Sequence, residues 1–552
     1  MLHRIPKRFA FTMLSGSLIM VVLLVVVLAT ATRPIPTKPD ALTGRCITPD
    51  CVGTFLHETI LNTSNVNVDQ FGLLFRRKVD GHIYTRPLYV PAVEIPGKGM
   101  HNVIYIATQH NTVYAFDADD PASGEPLWQT NLGSPIPLPD ENIGPAYYGD
   151  IQIEVGVTGT PVIDLEKGII YLVAATRESD TGSCPCQYPH RIHALDLRTG
   201  QEQLGGPVDI HIDLPQTGDA TFIGERQLQR VALLLSRGVL YIGFGSYGDR
   251  TPYHGWLLGY DAQTLKQVST FNSTPAGNQG GIWMGGLPPS VDNDGNLYLV
   301  VANGSFDGDS AGNNFGMSVL RFDPSTLVNS TPKIVDWFSP FDHQSLIDGD
   351  VGLGSTGAIL LPRNRVLAGT KNGQLILLDR NHLTHTGGPE GDSPLVQRFQ
   401  VSWGPMFSSP IYWAGPQGER VYVWGTSDAL KVFRYDGYRI DPTPEMTSTV
   451  VLTDVWPGGI LTLSANGSQL GTGIVWANHP IRNANEQTAE GILRAYDAQD
   501  ITRELWNSEI NRDRDHLGSF GKFTPATVVN GKVYVATFSN DLNVYGLLPQ
   551  SD

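Results

Sequence analysis

From residue 71 onward the chain alternates short apolar runs with polar turns, and no stretch holds the three-to-four spacing of an amphipathic helix. One unit reads "NVIYIATQHNTVYAFDADDPASGEPLWQTNLG" (102–133): an apolar strand, a polar turn, a strand ending in Asp117, a loop, and a strand bearing Trp128. The same order recurs at "IIYLVAATRE", "VLYIGFGSYGDRTPYHGWLLGYDAQT", "NLYLVVANGS", "RVLAGTKNGQLILLDRN", "RVYVWGTSDALKVFRYDG", "GIVWANHPIR" and "KVYVATFSNDLNVYGLL", eight copies in all. Most copies follow a short strand that leaves a Pro-, Gly- or Ser-rich turn, such as "RPLYV" (86–90). The last copy stops after its third strand, at Leu548, whereas "FGLLFRRKV" (71–79) is a strand without a partner. Pairing the two completes an eighth four-stranded sheet and removes the open edges. The pattern therefore predicts an all-β fold, an eight-bladed β-propeller of four-stranded blades over 71–548, closed by its N-terminal strand.

With the strands of a blade labelled A to D from the axis outward, antiparallel pairing puts the B–C turns and the D–A connections on one face. Lys371 stands beside the Asn372-Gly373 turn of a B–C hairpin and so belongs to that face, near the axis. Register on the Asp that ends strand C gives Gln109 and Asp428 as equivalents in other blades. Asp249, Asn303, Asn478 and His479 fall on the same face, and the D–A connections add Trp283, Asp348 and Asp350. Taken singly, each of these residues fits an ordinary wet funnel. His110, His254 and His479 come with no Ser-His-Asp order and no metal-ligand spacing.

Composition narrows the functional classes. The 60 Gly and 38 Pro are scattered along the chain, as many turns require and a linker does not. The formal charge is −16, and residues 1–31 contribute only basic groups to it (Arg4, Lys7, Arg8). A general basic field for nucleic acid or an anionic membrane is thereby excluded. Those first residues continue into "LIMVVLLVVVLA" and then "ATA", which reads as a cleaved secretory signal or, taken from residue 13 to 31, as a retained membrane anchor. Either reading exports the remainder, to a periplasmic or extracellular location. Residues 32–70 form an extended N-terminal segment with Cys46 and Cys51, and Cys184 and Cys186 stand in "CPC". In an exported chain each pair is expected to oxidise locally, and neither has the ligand set of a zinc site.

The "VYAFDADD" and "LWQTNLG" repeats resemble those of the pyrroloquinoline quinone (PQQ) propellers, the quinoprotein alcohol and methanol dehydrogenases, over about residues 71–548. The nearest local resemblance runs from 280 to 380. "GGIWMGG" and "VANGS" are similar to the family segments carrying the Trp that stacks on the quinone and the Asn that binds calcium. "LIDGDVGLGSTG" is similar to the segment with the catalytic Asp, and "TKNGQLILLDRN" to the hairpin whose Lys or Arg contacts the quinone oxygens. The resemblance implies Trp283 as stacking partner, Asn303 as calcium ligand, Asp348 or Asp350 as catalytic base and Lys371 as quinone contact. Where the family has its adjacent cysteine pair against the other ring face, this chain has Gln109-His110, and near the family's calcium-binding Glu it offers Asp249. No "CxxCH" haem motif occurs. "RTPYHGW" and "LGSTG" also resemble segments of a less studied exported branch, for which a fold is implied and no reaction.

Two functions follow as expectations. One is an exported dehydrogenase that uses PQQ and calcium to oxidise a small alcohol or sugar; an aromatic platform, a hard cation held by oxygen donors, a carboxylate base and a cation near the ring suit that chemistry. The other is a propeller that has lost the cofactor and binds a protein partner, since fold does not fix function.

Overall fold

The computed structural model describes residues 53–145, 148–178, 188–213, 221–328, 331–387, 391–394 and 396–549. The N-terminal 31 residues and all four cysteines lie outside the described residues. Eight four-stranded blades follow one another along the chain, three of them with a fifth short strand added. Blade 1 begins with Leu88–Ile95, blade 2 with Val162–Asp164, blade 3 with Leu234–Ser236 and blade 4 with Ser290–Val291. Blades 5 to 8 begin with Ile359–Leu361, Ile411–Gly415, Ile460–Ser464 and Thr527–Val529.

The fourth strand of blade 8 is Phe71–Lys78, antiparallel to Asp541–Leu547 with Phe71 opposite Leu547 and Lys78 opposite Asp541. The N-terminal strand therefore closes the ring as the pattern of apolar runs predicts. Lys78 seals the seam with an ion pair to Asp541 at 2.9 Å.

Why the inner strands read as unbroken apolar runs is now plain. Each blade is packed on both faces, so a strand such as Ile169–Ala175 or Val239–Ser246 is buried at every position. Outer strands keep the alternation of a half-solvated edge, as Trp128–Asn131 does. Apolar layers fill the space between successive blades, and one of them joins Tyr89, Ile104 and Phe116 of blade 1 to Tyr534 and Val544 of blade 8.

The aspartate that recurs at the end of strand C has a local job. Asp117 accepts from the backbone N–H groups of Asp119 and Asp120, and Asp196, Asp261 and Asp436 do the same two and three residues on. This is an Asx turn, which reverses the chain toward strand D. A tyrosine hydroxyl then ties blade to blade: Tyr105 donates to the Leu197 carbonyl at 2.9 Å and Tyr171 to that of Ala262 at 2.6 Å.

Among the elements outside the repeat are a short strand, a hairpin and a helix. Thr54–Phe55 adds in parallel to the innermost strand of blade 7, inside the ring. A hairpin of Ile136–Pro137 and Glu154–Val155 covers the B–C turn of blade 1. A six-residue helix, His343–Asp348, stands in the connection from blade 4 to blade 5. Among the described residues no helix is long and apolar enough to cross a membrane.

Candidate functional site

The B–C turns and D–A connections meet around a cavity of about 420 Å³. Trp283, Asn303, Asp249, Asp350 and Lys371 all line it.

Lys371 is set by its hairpin. Gly373 takes φ +80°, and a Cβ there would meet the Ser402 carbonyl oxygen at 2.3 Å, so the turn admits only glycine. The Lys371 and Asn372 N–H groups donate to the carbonyls of Gly352 and Val351, both at 2.9 Å, clamping the hairpin onto the blade 4–5 connection. That clamp brings Lys371 Nζ to 2.6 Å from Asp350 Oδ1. The same oxygen accepts from Asn303 Nδ2 at 2.6 Å, and Asp350 Oδ2 has no protein partner among the described residues.

Asp348 and Asp350 part company at the end of the helix. Asp350 takes a left-handed φ of +50° after Gly349 and faces the cavity. Asp348 stays exposed on the helix, where Gln344 Nε2 donates to it at 2.8 Å, and it does not line the cavity.

Trp283 lies over backbone from which side chains are missing. A Cβ on Gly245 or Gly281 would meet its ring at 2.5 and 2.4 Å. Its Nε1 donates to the Ser246 carbonyl at 3.3 Å, and Tyr253 packs edge-on at 6.2 Å. The Tyr253 hydroxyl in turn donates to Asp249 Oδ1 at 2.5 Å. Although Asp249 opens to the funnel, the surrounding protein displaces water and raises its carboxyl pKa; the Tyr253 hydrogen bond and the Lys371 charge oppose that rise. No cation lies within ion-pair distance of Asp249 among the described residues.

Gln109 is not at the cavity. It is fully buried beneath the blade 1–2 hairpin, donating to Thr158 Oγ1 at 3.0 Å and accepting from the Gly156 N–H at 2.6 Å. Asp428 is likewise spent within its own hairpin, ion-paired with Lys431 at 2.7 Å. Asn478 and His479 are interior to the strand Ile474–Pro480, and burial with the charge of Arg494 pushes His479 down to about 3. His110 faces Glu154 at 3.1 Å and His254 bonds Thr274, so neither reaches the cavity.

The other side of the ring supplies residues that strand register does not find. Tyr84, Arg230, Phe407, Trp456 and Phe523 all come from D–A connections. Trp456 sits against Phe407 at 4.6 Å and Phe523 at 5.5 Å. A signal was present in part: "VWPGG" around Trp456 has the same Trp-x-Gly-Gly form as "IWMGG" around Trp283.

The donor set suits the groups that the quinoprotein resemblance implies. Trp283 is a flat platform, Lys371 a cation at the cavity's edge, and Asp249, Asn303 and Asp350 bring two carboxylates and an amide to one space. Asp249, a carboxylate open to the funnel and without an ion-pair partner among the described residues, is suited to a hard divalent ion that takes its remaining oxygens from water and ligand. Among the described residues no group of three or more His, Cys, Asp or Glu side chains is arranged to hold a metal by itself.

The molecule is thus an eight-bladed β-propeller with a single-faced, mixed-charge funnel site. No family model matches the chain, and no curated protein does. Among solved structures it is similar to the quinohemoprotein alcohol dehydrogenase ADHIIG from Pseudomonas putida HK5, with a TM-score of 0.56 and 15% identity, covering 92% of this chain and 82% of that one. A europium-containing methanol dehydrogenase matches with a TM-score of 0.54 and 15% identity, covering 93% of this chain and 99% of the other. At that identity the likeness speaks for the fold, the eight-bladed propeller of these dehydrogenases.

Proposed function

We propose that this protein is an exported dehydrogenase that oxidises a small alcohol or sugar with PQQ and a hard divalent cation such as calcium. The observation that carries the proposal is the convergence of Trp283, Asn303, Asp249, Asp350 and Lys371 on one cavity. A bound quinone supplies the two-electron oxidation of the alcohol carbon, with the cation polarising its carbonyl. Trp283 offers the stacking surface, Asn303 and Asp249 the cation ligands, and Lys371 a positive charge beside the ring oxygens. Asp350, held through Oδ1 by Lys371 and Asn303, keeps Oδ2 for the substrate hydroxyl and takes its proton. Asp348, exposed on the helix, has no part in this. Residues 1–31 act as export signal or membrane anchor.

The test is a titration of the purified protein with PQQ and calcium, following tryptophan emission and the thermal midpoint. A quinone stacked on Trp283 quenches emission and raises the midpoint with ligand concentration, and EDTA reverses both. Reduction of an artificial acceptor by alcohols or sugars then follows. No quench and no midpoint shift at high ligand rejects the proposal. The second reading, a binding propeller without a quinone, is favoured by Gln109, whose amide is spent on Thr158 and Gly156 where the resemblance leads to a cysteine pair.

A further inference from the structure

The chain threads its own ring. Thr54–Phe55 runs parallel to Ile460–Ser464, the innermost strand of blade 7, with Thr54 opposite Leu463. The Gly53 carbonyl accepts from the Leu463 N–H at 2.7 Å, and the Phe55 carbonyl from that of Ala465 at 2.8 Å. Across the bore, the Phe55 ring meets the guanidinium of Arg86, just ahead of blade 1, at 4.7 Å. Past Phe55 the chain continues on the face away from the funnel. There the Gly467 N–H donates to the Leu56 carbonyl at 2.8 Å and the Thr63 N–H to that of Gly471 at 2.9 Å, both glycines lying in the A–B turn of blade 7.

The strand Ile460–Ser464 starts from the connection that holds Trp456, so the parallel chain, followed backward from Thr54, heads for the funnel. Gly53 lines a small cavity of about 30 Å³ with Gly285, Phe407 and Phe523, three residues that line the main cavity as well. Residues 35–52 lie outside the described residues, but their point of attachment is thus the floor of the funnel. Their sequence, "IPTKPDALTGRCITPDCV", carries Pro36, Pro39 and Pro49, which fix their own φ and favour extended backbone at the residues before them. Such a chain loses little entropy on docking and suits aromatic-lined grooves. Phe407 and Phe523 flank Trp456 at 4.6 and 5.5 Å and make a surface of that kind. Beyond them, blades 5 to 7 leave Trp403, Val451 and Ile481 in water, 87%, 62% and 49% exposed, all in D–A or B–C segments of the funnel face. Ile35, Leu42, Ile47 and Val52 are the apolar side chains that residues 35–52 offer in return.

We propose that residues 35–52 form a strap docked on the aromatic side of the funnel, so that the mouth of the cavity is covered by the protein's own chain. The strap requires no quinone and goes beyond the function proposed above.

The test puts a photoreactive benzoylphenylalanine in place of Leu42 in the full-length protein, irradiates it, and identifies the joined peptides by mass spectrometry. Cross-links should fall on peptides containing Trp403, Phe407, Trp456 or Phe523. Cross-links to other blades alone, or none at all, overturn the strap. Trypsin gives an independent reading on the unlabelled protein, because Arg45 is the one basic residue of the segment not followed by proline. Cleavage at Arg45 should run at least about tenfold slower than in the free peptide 35–52 with its cysteines in the same redox state, since a docked chain is cut only when it opens. Trp403→Ala, a change in a side chain that the core does not use, should restore much of the lost rate. Cleavage as fast as in the peptide, or unaltered by Trp403→Ala, also overturns the strap. Both readings are taken without PQQ, so a protein that fails to bind the quinone can still show the strap, and one without the strap can still bind the quinone.

Discussion

The two sides of the funnel solve opposite problems. On the side of blades 3 to 5, Lys371, Asp350 and Asn303 satisfy one another across 2.6 Å contacts in a half-open setting, where such pairs cost little. Arg230 and Lys522, in contrast, are sunk among aromatic rings and, among the described residues, donate to backbone carbonyls alone. One cluster is complete and oriented; in the other, burial disfavours the charges, and Asp150 and Glu486 act on Lys522 without an ion pair. The difference teaches that one cluster is already satisfied within the protein, whereas the other holds charge that burial disfavours.

The sharpest way to break this comparison is at the complete side. Asp350→Asn should lower turnover by about 10²- to 10⁴-fold, the range of a lost general base, whereas Asp348→Asn should leave it within about twofold. Equal losses in steady-state assays of the two would deny Asp350 its role. On the buried side, pH separates the halves. Buried beside Trp456, Lys522 loses its proton above about pH 8 in the folded protein. The stability of the ligand-free protein should respond to that loss. Between about pH 8 and the usual lysine range the unfolded chain still binds the proton that the folded chain has released, so stability rises with pH in that window. Scanning calorimetry across about pH 6 to 10 reads the slope, and a stability that does not rise above about pH 8 would deny Lys522 its lowered pKa. The smallest effect on the site is expected from Gln109→Ala. It should cost about 1 to 3 kcal/mol of stability through the orphaned Gly156 N–H and leave PQQ affinity unchanged.

The same contrast explains what could be read in advance. Lys371, Asn303 and Asp249 follow B strands whose apolar runs, with the aspartates that end the neighbouring C strands, fix a register, so their face is legible from the chain. Arg230, Phe407, Trp456 and Phe523 sit in D–A connections of unequal length, where no register carries over from blade to blade. Asp348 and Asp350 could not be separated because a single chain reversal, at Gly349, decides which of them turns inward. Register also put Gln109 on the funnel face, but the blade 1–2 hairpin roofs it over and takes both ends of its amide. A covering loop is a tertiary event that strand periodicity does not encode.

The seam between Phe71–Lys78 and Asp541–Leu547 also sets a timetable. The first propeller strand to be synthesised waits for almost the last one, so seven blades can stack while the ring still gapes at both ends. Until residue 547 is free of the ribosome, two sheet edges stay open to wrong partners. A chain cut short anywhere within its final strand is therefore an unlatched ring, damaged far more than the loss of a few residues suggests.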